Sequence, residues 1–109
     1  MCMDTEHFAQ ITGYDPEFAL ELLDAFLEDS HERIAQMEQG IHQQDINIVR
    51  RGAHQLKGSS ANVGAFHIHT IAKAMELENH SWAELATMLD QLKAGLAEVT
   101  LFRQRFLLS

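Results

Sequence analysis

The sequence predicts an all-α protein, an antiparallel up-down-up-down four-helix bundle led by one short helix. Three observations carry that expectation. Apolar residues recur at steps of three and four along most of the 109 residues, which is the spacing of one helix face. Capping residues of the Asp and Ser type stand where those stripes begin. One proline and six glycines are too few for a disordered or loop-dominated chain, and the aromatics are not arranged in alternating runs that would support strands.

A short helix is expected over residues 4–10, ended by Gly13. Asp15-Pro16-Glu17 then opens a long one: Asp accepts an orphan N–H, Pro wastes no donor in the first turn, and Glu suits the positive end of the dipole. Its inward line is Leu20, Leu23, Leu27, Ile34, Met37 and Ile41, with Ser30 in the one polar slot and Leu22 and Phe26 widening it. Glu21, Asp24, Glu28 and Glu32 line the wet side, and Gly40 is expected to loosen the end. Asp45 caps the next helix, whose stripe is Ile46, Val49, Ala53, Leu56, Ser60 and Val63. After Gly64 a shorter helix carries Ile68, Ile71, Ala72 and Met75 and ends near Asn79 and His80. Ser81-Trp82-Ala83-Glu84 is a capping box that starts the last helix, with Leu85, Met88, Leu89, Leu92, Leu96, Val99, Phe102 and Phe106. Phe18, Phe26, Phe66, Phe102 and Phe106 are expected in the core, with Trp82 as a staple. Short connections make neighbouring helices antiparallel, and residues 1–109 read as a single domain.

Composition narrows the partners. A net charge of −8 argues against nucleic acid, which asks for clustered Lys and Arg. No apolar stretch approaches the roughly 18 residues of a membrane span. Neither a secretory start nor a pair of cysteines is present (Cys2 is alone), so a cytoplasmic protein is expected. The charge is unevenly spread. Residues 1–40 hold Asp4, Glu6, Asp15, Glu17, Glu21, Asp24, Glu28, Asp29, Glu32 and Glu38 against Arg33 alone, whereas residues 41–60 hold Arg50, Arg51 and Lys57 against Asp45. The basic island surrounds His54.

His54-Gln55-Leu56-Lys57-Gly58-Ser59-Ser60 is the informative segment. Offsets of three and four share one helix surface, so an imidazole, an ammonium and a missing side chain meet at one spot. At about 100° per residue, His54 points roughly 130° from the centre of its own helix's apolar stripe, into water. A neutral imidazole is a nucleophile toward phosphorus near neutral pH. Lys57 can neutralise phosphoryl oxygens, and phosphoryl transfer depends chiefly on positioning and charge. A glycine inside a helix costs about 1 kcal/mol relative to alanine; at Gly58 the reason is access to the ring.

The segment from Arg50 to Gly64 resembles the signature of histidine-containing phosphotransfer (HPt) domains of multistep phosphorelays, and the short leading helix, acidic second helix and chain length resemble that family too. The resemblance implies that His54 accepts a phosphoryl group from a receiver-domain aspartyl phosphate and passes it to another response regulator. It makes Lys57 the phosphate-steadying residue and Gly58 the clearing for approach, with Ser59 and Gly64 serving packing. The implied partners are receiver domains and a hybrid sensor histidine kinase. The receiver supplies the aspartate and Mg²⁺, so this chain needs no cofactor, and no autonomous kinase activity is expected. Arg50, Arg51 and Ala61 are the docking candidates on a protein expected to be monomeric, and Nε2 is the more accessible ring nitrogen. Gly52 departs from the family pattern, which more often has a helix former there.

Other readings stand beside this one. The phosphoacceptor domain of a chemotaxis-type kinase or of a hybrid kinase has a similar motif, although Met1 points to a free-standing protein. A metal-binding bundle is weakly suggested by Glu28-Asp29-Ser30-His31, a Glu-x-x-His sequence that such sites need on two helices; no metal is expected. A pure adaptor would leave His54 without chemistry.

Overall fold

Four of the five helices start where a side chain satisfies the first free N–H groups; α4, which follows Ala65, has no such cap. In a computed structural model that describes residues 3–77 and 79–108, the order is α1 (Thr5–Ile11), α2 (Pro16–His42), α3 (Ile46–Val63), α4 (Phe66–Leu77) and α5 (Trp82–Leu108). The Asp4 carboxylate accepts from the His7 amide at 2.9 Å, Asp15 from Glu17 at 3.0 Å, and Asp45 from Asn47 at 3.1 Å. At α5 the amide of Ser81 donates to Glu84 Oε1 at 2.8 Å while the amide of Glu84 donates to Ser81 Oγ at 3.1 Å. This is the reciprocal pair expected of a capping box. Gly64 ends α3 at φ 81°, a conformation that an L side chain resists.

The four long helices form a ring in chain order: α2 packs on α3 and α5, and α4 packs on α3 and α5. Cross-helix contacts run in opposite senses along each pair, the mark of antiparallel neighbours. His69 meets Lys57 and Glu76 meets His54 between α4 and α3, while Lys93 pairs with Glu38 and Arg103 with Asp24 between α5 and α2. The core between them is filled by Leu23, Met37, Leu56, Ile68, Met75, Leu92 and Leu96. Helix α1 covers one end. Its Asp4 amide donates to Gly64 O at 2.8 Å, His7 Nε2 lies 3.2 Å from Asn62 O, and buried Phe8 meets Phe102 and Phe106 edge-on.

Several expectations change. The inward line of α2 runs through Ala19, Leu23, Phe26, Leu27, Ser30, Ile34 and Met37, leaving Leu20 and Ile41 only half-buried. Phe18 and Phe66 are not core residues; they are 44% and 41% exposed. Phe18 precedes Ala19 and so points about 100° off that line, and Phe66 lies two residues, about 200°, from Ile68. Phe66 rests instead beside the rings of His7 and His69. Gly40 does not loosen α2, which continues to His42; a Cβ there would come within 2.9 Å of Ile48, so the glycine lets α3 approach. Gly52 has the same explanation. It is buried, and a Cβ would drive into the Met37 side chain, reaching Sδ at 2.9 Å. Helix α4 ends at Leu77, two residues before Asn79. Trp82 is half-buried against the core. Cys2 lies outside the described residues, among which no helix is long and apolar enough to cross a membrane.

Candidate functional site

His54 stands at the middle of α3 with its side chain 67% exposed. The opposite face of α3 anchors the helix through Val49, Ala53, Leu56 and Ser60, all buried. Burying that face is what turns the imidazole outward. Beneath the site, Ser60 Oγ donates to Leu56 O at 2.6 Å, and Nδ1 of His69, on α4, lies 2.9 Å from Lys57 O. The backbone that carries the site is therefore tied to the neighbouring helix.

Glu76 completes the arrangement from α4. Its Oε1 lies 2.7 Å from His54 Nδ1 and its Oε2 2.6 Å from Lys57 Nζ. Lys57 and Glu76 are mostly covered, at 26% and 20% side-chain exposure. The Lys57 contact, and after it the His54 contact, hold the Glu76 carboxyl below the ordinary glutamate range, so it is ionised near neutral pH. An ionised carboxylate can only accept hydrogen bonds. Nδ1 of His54 is therefore the N–H nitrogen, and in the neutral ring the lone pair is on Nε2. Sequence reasoning did not find Glu76. Its only local signal is its place beside Met75, at the border of the buried face of α4, where a side chain reaches a neighbouring helix.

The other candidates divide between the two sides of the ring. Gly58 is exposed, and a Cβ built on it meets nothing within 4 Å. Unlike Gly52, it serves no packing contact in the free protein. Arg50 turns toward α4, donating from Nη2 to Asn79 Oδ1 at 3.2 Å. Arg51 borders α2 instead, and Ala61 is half-buried two turns along α3. Among the described residues, no group of three or more His, Cys, Asp or Glu side chains is placed to hold a metal ion.

A family model described as the Hpt domain matches residues 21–100, a span that contains His54, Lys57, Gly58 and Glu76. The chain belongs to the Hpt family. It is a histidine phosphotransfer domain of the phosphorelay type, and the readings as a chemotaxis-type or hybrid kinase phosphoacceptor domain and as a metal-binding bundle are not favoured. The crystal structure of histidine-containing phosphotransfer protein B (HptB) from Pseudomonas aeruginosa PAO1 is similar in fold. It aligns with a TM-score of 0.78 at 24% identity, covering 99% of this chain and 96% of that one. No curated protein matches the chain. Within the matched span the bundle holds the His54 imidazole on the outside of a helix whose opposite face is buried.

Proposed function

We propose that His54 is the phosphoacceptor and that Nε2 is the reacting atom. The observation that carries this is the Glu76 contact to Nδ1, which leaves Nε2 as the basic nitrogen of an exposed ring. In the forward step the Nε2 lone pair attacks the phosphorus of an aspartyl phosphate on a receiver domain. The P–N bond forms as the P–O bond to the aspartate breaks, and the carboxylate leaves with the electron pair. The ring's positive charge, which builds as the P–N bond forms, is met by Glu76 through the Nδ1–H, as a carboxylate steadies an imidazolium elsewhere. The return step is the reverse, onto the aspartate of another response regulator.

Lys57 steadies the phosphoryl oxygens in this reading. Its ammonium stands beside the ring, held by Glu76, and three new anionic oxygens compete for it. Gly58 keeps the approach open. Arg50, Arg51 and Ala61 border the ring as a docking surface for receiver domains, the phosphoryl donor among them belonging to a hybrid sensor kinase. The receiver contributes the aspartate and its Mg²⁺, so this chain carries no cofactor and no kinase activity of its own. The reading places it, as a monomer, in the cytoplasm with those partners.

The test is to mix the protein with a receiver domain charged by acetyl phosphate and to follow acid-labile label. Wild-type protein takes up label, and His54→Gln takes up none while keeping its helical spectrum and its binding to the receiver. Label on the His54→Gln protein would overturn the assignment.

A further inference from the structure

We propose that the groove between α2 and α3 is a second contact point for the docked receiver domain, where Arg33 and Arg51 receive a carboxylate side chain of the partner. This rests on the phosphocarrier reading for the identity of the partner, and it extends the docking surface from Arg51, beside the ring, to Arg33 on α2.

The groove holds about 390 Å³ and is lined by Arg33, Gln36, Ile48, Arg51, Gly52 and Gln55. Two guanidiniums and two amides thus share one hollow on a chain of net charge −8. Arg33 is the lone Lys or Arg of the first 40 residues, and its needs are poorly met. Its Nη2 reaches Asp29 only at 3.4 Å, and its Nε is buried without a hydrogen-bond partner among the described residues. The Arg33 side chain is 29% exposed, so a docked carboxylate meets it at the outer guanidinium nitrogens and not at the buried Nε. Arg51 is exposed and has no ion pair among the described residues. Gly52 makes the juxtaposition possible, because without a Cβ the α3 backbone lies against Met37 of α2.

The opposite side of the ring is different. There Lys57 is paired with Glu76 and Arg50 is bonded to Asn79. Cationic groups facing α4 are already engaged, whereas in the α2–α3 groove Arg51 has no ion pair among the described residues and Arg33 has only the 3.4 Å contact to Asp29. Arg51 lies three residues before His54 and Gln55 one after it, so Arg51 is a surface neighbour of the ring on α3. A receiver domain seated over His54 therefore has Arg51, and with it the edge of the groove, within its reach. A planar carboxylate fits forked guanidinium donors better than a neutral group does, and complementary charge would set which way the partner leans.

The experiment measures phosphotransfer and binding against a receiver domain charged by acetyl phosphate, across its concentration and across salt. Arg51→Glu and the double variant Arg33→Gln/Arg51→Gln are compared with Arg105→Glu, which repeats the charge change at the end of α5. Expected is a rise of about 10-fold or more in the half-saturating receiver concentration for both groove variants, with the saturating rate within about 2-fold and a flatter salt dependence; Arg105→Glu matches wild type. His54→Gln retains wild-type affinity, so failure of the phosphoacceptor assignment and failure of the groove read separately. Wild-type affinity and salt dependence in an Arg51→Glu protein that melts normally would overturn the proposal. So would an equal loss for Arg105→Glu, which would reduce the effect to net charge.

Discussion

Oε1 of Glu76 lies 2.7 Å from Nδ1 of His54, 22 residues away in the chain and on a different helix. The same carboxylate holds Lys57 through its other oxygen. One side chain thus sets the ring's tautomer, limits its rotation and stations the ammonium. Three consequences are measurable at this cluster and one at the glycines.

Replacing Glu76 by Ala removes the acceptor for Nδ1–H and lets the ring take either tautomer. Acceptance of the phosphoryl group should slow on the order of 10- to 100-fold, with the helical content unchanged. Single-turnover transfer from an excess of phosphorylated receiver measures it. An unchanged rate would mean that the ring needs no orientation from α4.

Lys57→Ala should leave His54 able to accept but shorten the life of the phosphoryl form, since no ammonium then faces its oxygens. Glu76→Gln should act in the opposite direction on that lifetime by releasing Lys57 from its ion pair. The decay of purified phosphoprotein at neutral pH compares the three. If Lys57→Ala decays no faster than wild type, the lysine does not touch the phosphate.

Acid should weaken the wild-type fold partly through Glu76. Its carboxyl is held down by Lys57 first and His54 second, so its stabilising effect is complete above the ordinary glutamate range and is lost as pH falls through its depressed folded value. Glu38, lowered chiefly by its hydrogen bond to Lys93, behaves likewise. Lys93 is raised by the same partner, and its share is lost only as pH climbs through that raised value. Denaturant titrations at a series of acidic pH values should show a shallower loss for Glu76→Gln than for wild type. Equal slopes would remove Glu76 from the acid response.

Gly52 and Gly58 make opposite predictions although they are less than two turns apart on α3. Gly58→Ala adds a methyl group to open space and should stabilise the fold by about 0.5–1 kcal/mol. Gly52→Ala forces a methyl group into Met37 and should cost about 1–3 kcal/mol. Thermal melts decide between them. Transfer separates them further: Gly58→Leu should fold well and block phosphotransfer, and a normal rate in that variant would remove the access argument.

Local chemistry was legible in the sequence alone. Asp15, Asp45 and Ser81 announce where helices begin, because a cap needs only its own next three residues. The three- and four-residue steps reveal which face of each helix turns inward, and hence that His54, Lys57 and Gly58 share an outer surface. Only the packed bundle decided what meets across helices. Periodicity states a direction around one axis and says nothing about the sliding of one helix along another. That register depends on close fits such as Met37 against Gly52 and Ile48 against Gly40. It brought Glu76 to the imidazole, paired Arg50 with Asn79, set Arg33 beside Arg51, and left Phe18 and Phe66 outside the core.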